Sequence, residues 1–248
     1  MLRPQYFLTD CQHLGQERLC LCRSPLAVVQ ALFFAGRFHY LRDEAFVTQE
    51  LAERGEALCE EHGLRYWSAL STCLRGWAFA MQGQPQAGIQ HIEDGLAAAR
   101  ATGQGLGLDQ PLAMLAEAYA KSGRVDEGLA TLRDALVNVE TIGGRYGEAE
   151  IYRLKGELIL QSHVQQREVR RTEAEGDFLT AITIARQQHA KSLELRAATS
   201  LARLWQSQGK RTEAHTLLSE VYHWFTEGFD TKDLQEAQAL LEELARDV

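Results

Sequence analysis

The sequence predicts an all-α fold, a right-handed α-solenoid of about five antiparallel helix pairs in 40-residue units, closed by a C-terminal capping helix. Three observations predict it. Strong helix formers (Ala, Leu, Glu, Arg and Gln) dominate, Val and Ile are sparse, and Pro111 is the only proline from Gln86 onward. A register of 40 residues recurs along most of the chain. Within each unit, small and bulky apolar residues alternate at helical spacing.

Residues 1–24 contain "LTDCQHLGQERLCLC", which reads as a degenerate repeat helix. The first full unit runs from Pro25 to Gly63, with Gly36 forty residues before Gly76. The next two align directly: Gly83 falls on Gly123, Gly88 on Gly128, Ile92 on Leu132 and Gly95 on Ala135. The same shift links Gly76, Ala116 and Gly156. It also links Gly63, Gly103 and Gly143, which are expected to stop helices because glycine accepts the left-handed conformation. Beyond Gly156 the shift becomes 46, carrying Gly128 to Ala174, Leu132 to Phe178 and Ala135 to Ala181. The six added residues fall in or near "SHVQQREVRRTEAEG", a polar stretch expected to lengthen a turn. The shift of 40 then returns, carrying Ala174 to Ala214 and Phe178 to Leu218.

A small residue in each first helix (Gly76, Ala116, Gly156, Ala202) lets the second helix approach, and a bulky one three positions later (Phe79, Tyr119, Ile159, Trp205) fills the groove. The second helix answers with a small residue (Gly88, Gly128, Ala174, Ala214) and then a large one. "DTKDLQEAQALLEELARDV" follows, with Leu234, Ala237, Leu240 and Leu241 on one face. It is expected to cap the last apolar surface. The expected organisation is an N-terminal segment 1–24, a repeat region 25–230 and a capping helix 231–248.

The pattern resembles the tetratricopeptide repeat in a lengthened, 40-residue form, most clearly in "MLAEAYAKSGRVDEGLATLRDAL". "AEIYRLKGELIL", "AKSLELRAATSLARLWQSQGKRTEAHTLL" and "VYHWFTEGFDTKDLQEAQALLEEL" are similar to the C-terminal repeat region of large bacterial signalling NTPases fused to cyclase or DNA-binding domains. That resemblance implies an interaction or sensing arm. No Gly-rich phosphate loop ending in Gly-Lys-Ser/Thr occurs, so NTPase and cyclase activity do not carry over.

A formal net charge of −8 argues against a general nucleic-acid binder. No apolar run approaches the roughly 18–20 residues of a membrane span. The five cysteines, an odd number, and the lack of a signal-like N-terminus favour a cytoplasmic protein. Cys11, His13, Cys20 and Cys22 invite a zinc reading, but one-residue spacings do not suit structural zinc. No metal or cofactor is expected. The eight histidines form no constellation, and nothing supplies a nucleophile with a positioned base, so no catalysis is expected. Arg167, Arg170 and Arg171 of "QREVRR" read as a solvated loop offset by Glu168, Glu173 and Glu175, with a basic docking loop as the sharper alternative.

The expected function is binding of a protein or peptide on a concave groove lined by the first helices. Projecting their spacing gives Phe33, Arg37, Tyr40, Cys73, Trp77 and Met81 as an apolar, aromatic half. Glu117, Lys121, Glu150, Arg153, Glu157, Arg196 and Arg203 form a charged half of mixed sign. Trp77 and Met81 fit inter-repeat core equally well, as bulky residues at helical spacing usually do. A small-molecule sensor and a self-association module, with a homo-oligomer formed through the N-terminal end, are the alternatives.

Overall fold

A computed structural model describes residues 24–104, 107–162 and 166–246. The expectations for residues 1–23, including Cys11, His13, Cys20 and Cys22, lie outside the described residues. The described residues hold eleven helices and no strand: α1 (Pro25–Leu41), α2 (Ala45–His62), α3 (Arg65–Met81), α4 (Pro85–Ala101), α5 (Asp109–Lys121), α6 (Val125–Ile142), α7 (Glu148–Gln161), α8 (Arg167–Gln187), α9 (Lys191–Ser207), α10 (Arg211–Tyr222) and α11 (Lys232–Ala245). Pro25 and Pro85 open their helices, where a missing N–H leaves no bond unmade, and Pro111 sits in the first turn of α5. The chain divides at Gln104 into two compact units, α1–α4 and α5–α11.

Six of the eleven described helices end by one repeated device. The backbone N–H of Glu44, Leu64, Gln84, Arg124, Ala190 and Lys210 donates to the carbonyl five residues earlier, at 2.9–3.0 Å. This bond closes the last helical turn and needs a left-handed residue just before the donor. Gly63 (φ 68°) supplies that residue after α2. In two turns it is not glycine: Asp43 has φ 59° and His189 φ 54°. Both obey the sequence register, Asp43 lying 40 residues before Gly83 and His189 lying 46 after Gly143.

In the first unit, α3 and α4 meet backbone to backbone. A Cβ at Gly88 would stand 2.5 Å from the carbonyl oxygen of Gly76 and 2.8 Å from Ala80; one at Gly95 would stand 2.6 Å from Cys73 Sγ and 2.7 Å from the Ala69 carbonyl. As α4 advances its partners on α3 recede, so the pair is antiparallel, and only glycine permits the approach. Ile92, Leu74 and Trp77 fill the core beside this joint. In the second unit the equivalent joint at Gly156 is filled by the Phe178 ring, 2.6 Å from where a Cβ would be. Phe178, Leu195, Leu201, Leu218 and Leu244 are fully buried there.

Two sequence expectations are corrected. The insertion does not simply lengthen a turn. Five residues join α7 to α8 where three join α5 to α6, while α8 starts seven residues before Ala174 and α6 only three before Gly128. Most of the insertion is therefore an extra helical turn, and "REVRR" lies on it rather than in a loop. In α11, Leu234, Ala237 and Leu240 are buried as expected, but the face continues to Leu244, and Leu241 is half-buried.

Candidate functional site

The apolar half of the expected groove does not form a surface. Tyr40, Cys73 and Trp77 are 3%, 0% and 1% exposed. The Tyr40 and Trp77 rings meet edge to face at 4.8 Å. These three are core residues. The reason is local: nine residues of α3 are buried, so the helix is covered on most of its circumference and a spacing rule cannot single out a free face. Phe33, Arg37 and Met81 are half-buried, with the Phe33 ring 5.4 Å from Trp67. Among the described residues of this unit the exposed aromatics are Phe34 and Phe38 on α1 and Phe46 on α2, none of which the helical spacing points to.

Of the charged half, Glu150, Arg153, Glu157 and Arg196 are brought together. On α7, Arg153 lies one helical turn from both Glu150 and Glu157, a spacing that puts all three on one face. Its guanidinium donates to both Glu150 oxygens at 2.9 and 2.6 Å and to Glu157 Oε1 at 2.6 Å. Arg196 on α9 donates to Glu150 Oε1 at 3.0 Å and to Asp233 Oδ1 of α11 at 3.2 Å. Ser200 Oγ donates to Glu157 Oε1 at 2.8 Å. One turn further along α9, Arg203 donates to Glu236 of α11 at 2.7 Å. Glu117 on α5 adds its negative field to Arg153, and Lys121 is exposed. Ser200, Asp233 and Glu236 were not anticipated. Ser200 carried a usable signal, since it follows Arg196 by one turn, whereas the cap helix lies outside the repeat register and offered none.

Electrostatics fixes the inner part of this network. Burial pushes the Glu150 carboxyl up, but the Arg153 and Arg196 guanidiniums outweigh it and hold its pKa below the ordinary value. At Asp233 the balance reverses: burial dominates over Arg196, and its pKa is raised. The network's outer member Glu157 is 36% exposed, and the separate pair Arg203–Glu236 beside it is 48% and 40% exposed. The network thus has a buried, charge-locked base and an accessible edge.

Beside that edge, α7, α8 and α9 enclose an open cavity of about 520 Å³ lined by Glu157, Ser200, Arg203, Arg167, Arg170 and Arg171, over the ring of Phe178. Arg170 Nη1 donates to the Leu160 carbonyl at 3.2 Å and to that of Ser162, while its buried Nε has no acceptor. Arg171 donates to Glu168 at 3.1 Å. Glu175 turns away, accepting from Trp205 Nε1 and Lys210. Among the described residues no group of His, Cys, Asp and Glu is placed to hold a metal ion, and no helix is long and apolar enough to cross a membrane.

No protein-family model matches the sequence. An uncharacterized protein of Rhizobium meliloti (strain 1021) is 26% identical over 165 residues, which is 66% of this chain but only 16% of that protein. Among solved structures, Pseudomonas aeruginosa pilF aligns with a TM-score of 0.54 and 12% identity, over 89% of this chain and 90% of its own. A Podosopora anserina protein described as a kinesin light chain with nearly identical TPR-like repeats aligns with a TM-score of 0.51 and 16% identity, over 90% and 99%. At such identities these likenesses speak to architecture alone, and the architecture is the all-α helical-repeat fold of tetratricopeptide-repeat proteins.

Proposed function

We propose that the chain is a non-enzymatic protein-interaction module that binds a peptide or protein segment on the charged face of α7 and α9. One observation carries this reading: the side chains of Glu157, Arg153, Glu150, Arg196 and Asp233 join into one ladder of alternating sign whose outer end, Glu157, is exposed, and a separate Arg203–Glu236 pair bridges the same helices α9 and α11. Ion pairs among fully exposed side chains would be loose and worth little. Here the base is buried, so Glu157 is held in place before any ligand arrives, and less side-chain entropy is lost on binding. Phe33, Arg37 and Met81 lie in the first unit and are not part of this reading.

The unpaired thiols of Cys59 and Cys73 suit a cytoplasmic setting. A role as the interaction arm of a signalling protein rests on the sequence resemblance, and on a relative about six times longer than the stretch it shares.

The reading is tested by selecting twelve-residue peptides from a random display library on the full chain. A photo-crosslinker is then placed at Glu157 or, as control, at the exposed Asp134 of α6. Crosslinking from position 157 and not from 134 is expected. Selected peptides that crosslink from 134 alone would contradict it.

A further inference from the structure

We infer that the cavity bounded by Arg167, Arg170, Arg171 and Arg203 is a subsite for the carboxylate side chains of an acidic segment in the bound partner; this rests on the binding face proposed above. Four guanidiniums line this cavity and one carboxylate, that of Glu157. Glu157 Oε1 is already engaged, accepting from Arg153 and Ser200. Arg167 finds no ion-pair partner among the described residues. Arg170 is pinned by the terminal carbonyls of α7, with one donor left unmet. Arg171 is paired with Glu168 and Arg203 with Glu236, and Glu175 is occupied by Trp205 and Lys210, so Arg167 and Arg170 are the two guanidiniums left without a carboxylate among the described residues.

The chemistry of that arrangement selects its ligand. Crowded like charges repel one another at an effective dielectric below that of water, and an entering anion relieves the repulsion. Guanidinium presents paired donors that match a carboxylate, a geometry that adds direction to the charge. Half-buried Leu160 gives the lining an apolar wall that suits the methylenes of a Glu side chain. The chain carries a formal net charge of −8, which opposes the binding of a long polyanion. A short acidic stretch within a protein segment fits these constraints.

The test uses the same display selection on the full chain. Arg167 is exposed, and Arg203 pairs only with a half-exposed Glu236, so replacing them should leave the fold intact, which a thermal melt checks. Peptides rich in Asp and Glu are expected. Their affinity should fall at least tenfold in the Arg167→Glu, Arg203→Glu double variant, and equally when their acids are changed to Asn and Gln. Selected peptides that lack acids yet crosslink from position 157 would overturn this inference and leave the binding face standing. Failure to select any peptide would overturn both. Acidic peptides that bind the double variant as tightly as the wild type would overturn it. So would displacement by millimolar inorganic phosphate beyond that by chloride of matched ionic strength, which would reassign the cavity to a small free anion.

Discussion

The carbonyl oxygen of Gly76 lies 2.5 Å from where a Cβ on Gly88 would stand, so the two helices of the second repeat touch through their backbones. The other helical glycines are not equally constrained, and this ranks their replacements. Gly88→Ala drives a methyl into backbone and should cost about 1–3 kcal/mol by overpacking. That exceeds the roughly 0.5–1 kcal/mol gained when alanine replaces a mid-helix glycine. At Gly128 a Cβ would stand 3.0 Å from the flexible Cδ1 of Leu158 and 3.1 Å from the Ala116 carbonyl oxygen, a milder contact than at Gly88, so the cost of alanine should be smaller there. At Gly176 nothing lies within 4 Å, so alanine should stabilise by about 0.4–1 kcal/mol. Urea unfolding of the three variants should return that order; a Gly88→Ala midpoint at or above the wild type would remove the joint.

Trp77 is enclosed by core and meets the Tyr40 ring edge to face, so Trp77→Ala should cost about 3–5 kcal/mol of folding stability. Its neighbour Cys73 should be chemically silent. Burial pushes its thiol up to about 12, and that of Cys59 up to about 11. Since the thiolate is the reacting form, iodoacetamide at pH 8 should modify neither in the native chain and both in urea, read by peptide mass spectrometry. Native labelling of Cys73 would return it to the surface.

Glu150 predicts how the second unit responds to acid. Its folded pKa lies below the ordinary value, so it contributes stability that is complete above about pH 4.5 and is lost as pH falls through the lower, folded value. Asp177 and Asp233 act oppositely: their pKa values are raised by burial, so protonation just above the ordinary value eases their cost first. Glu150→Gln leaves Arg153 and Arg196 without their shared carboxylate and should cost about 3–5 kcal/mol at pH 7. The same variant should lose less stability than the wild type between pH 4.5 and 3. Parallel stability profiles for the two proteins would show that the network is not coupled to folding.

How much of this was legible in the sequence depends on what each residue answers to. Gly63, Gly83 and His189 occupy turn positions that the 40- and 46-residue shifts mark, because a turn of fixed geometry recurs at fixed spacing. The charged residues of α7 and α9 were legible for a similar reason: residues spaced by one helical turn share a face. Trp77 was not, because whether an apolar helical residue faces core or groove depends on how many neighbours surround its helix. Asp233 and Glu236 were not either, since the partner of a salt bridge across helices leaves no periodic trace. Arg167 and Arg170 were visible as charges, but only the extra turn of α8 turns them toward Glu157 and Arg203.

The central claim is that a protein segment docks on α7 and α9. Amide hydrogen exchange of the full chain, with and without a selected peptide, tests it most directly, because binding slows the local opening of whatever it covers. Slower exchange is expected in Glu148–Gln161 and Lys191–Ser207, with the second helices Val125–Ile142 and Arg211–Tyr222 unchanged. Protection confined to those second helices, or to Pro25–Ala101, would contradict the claim.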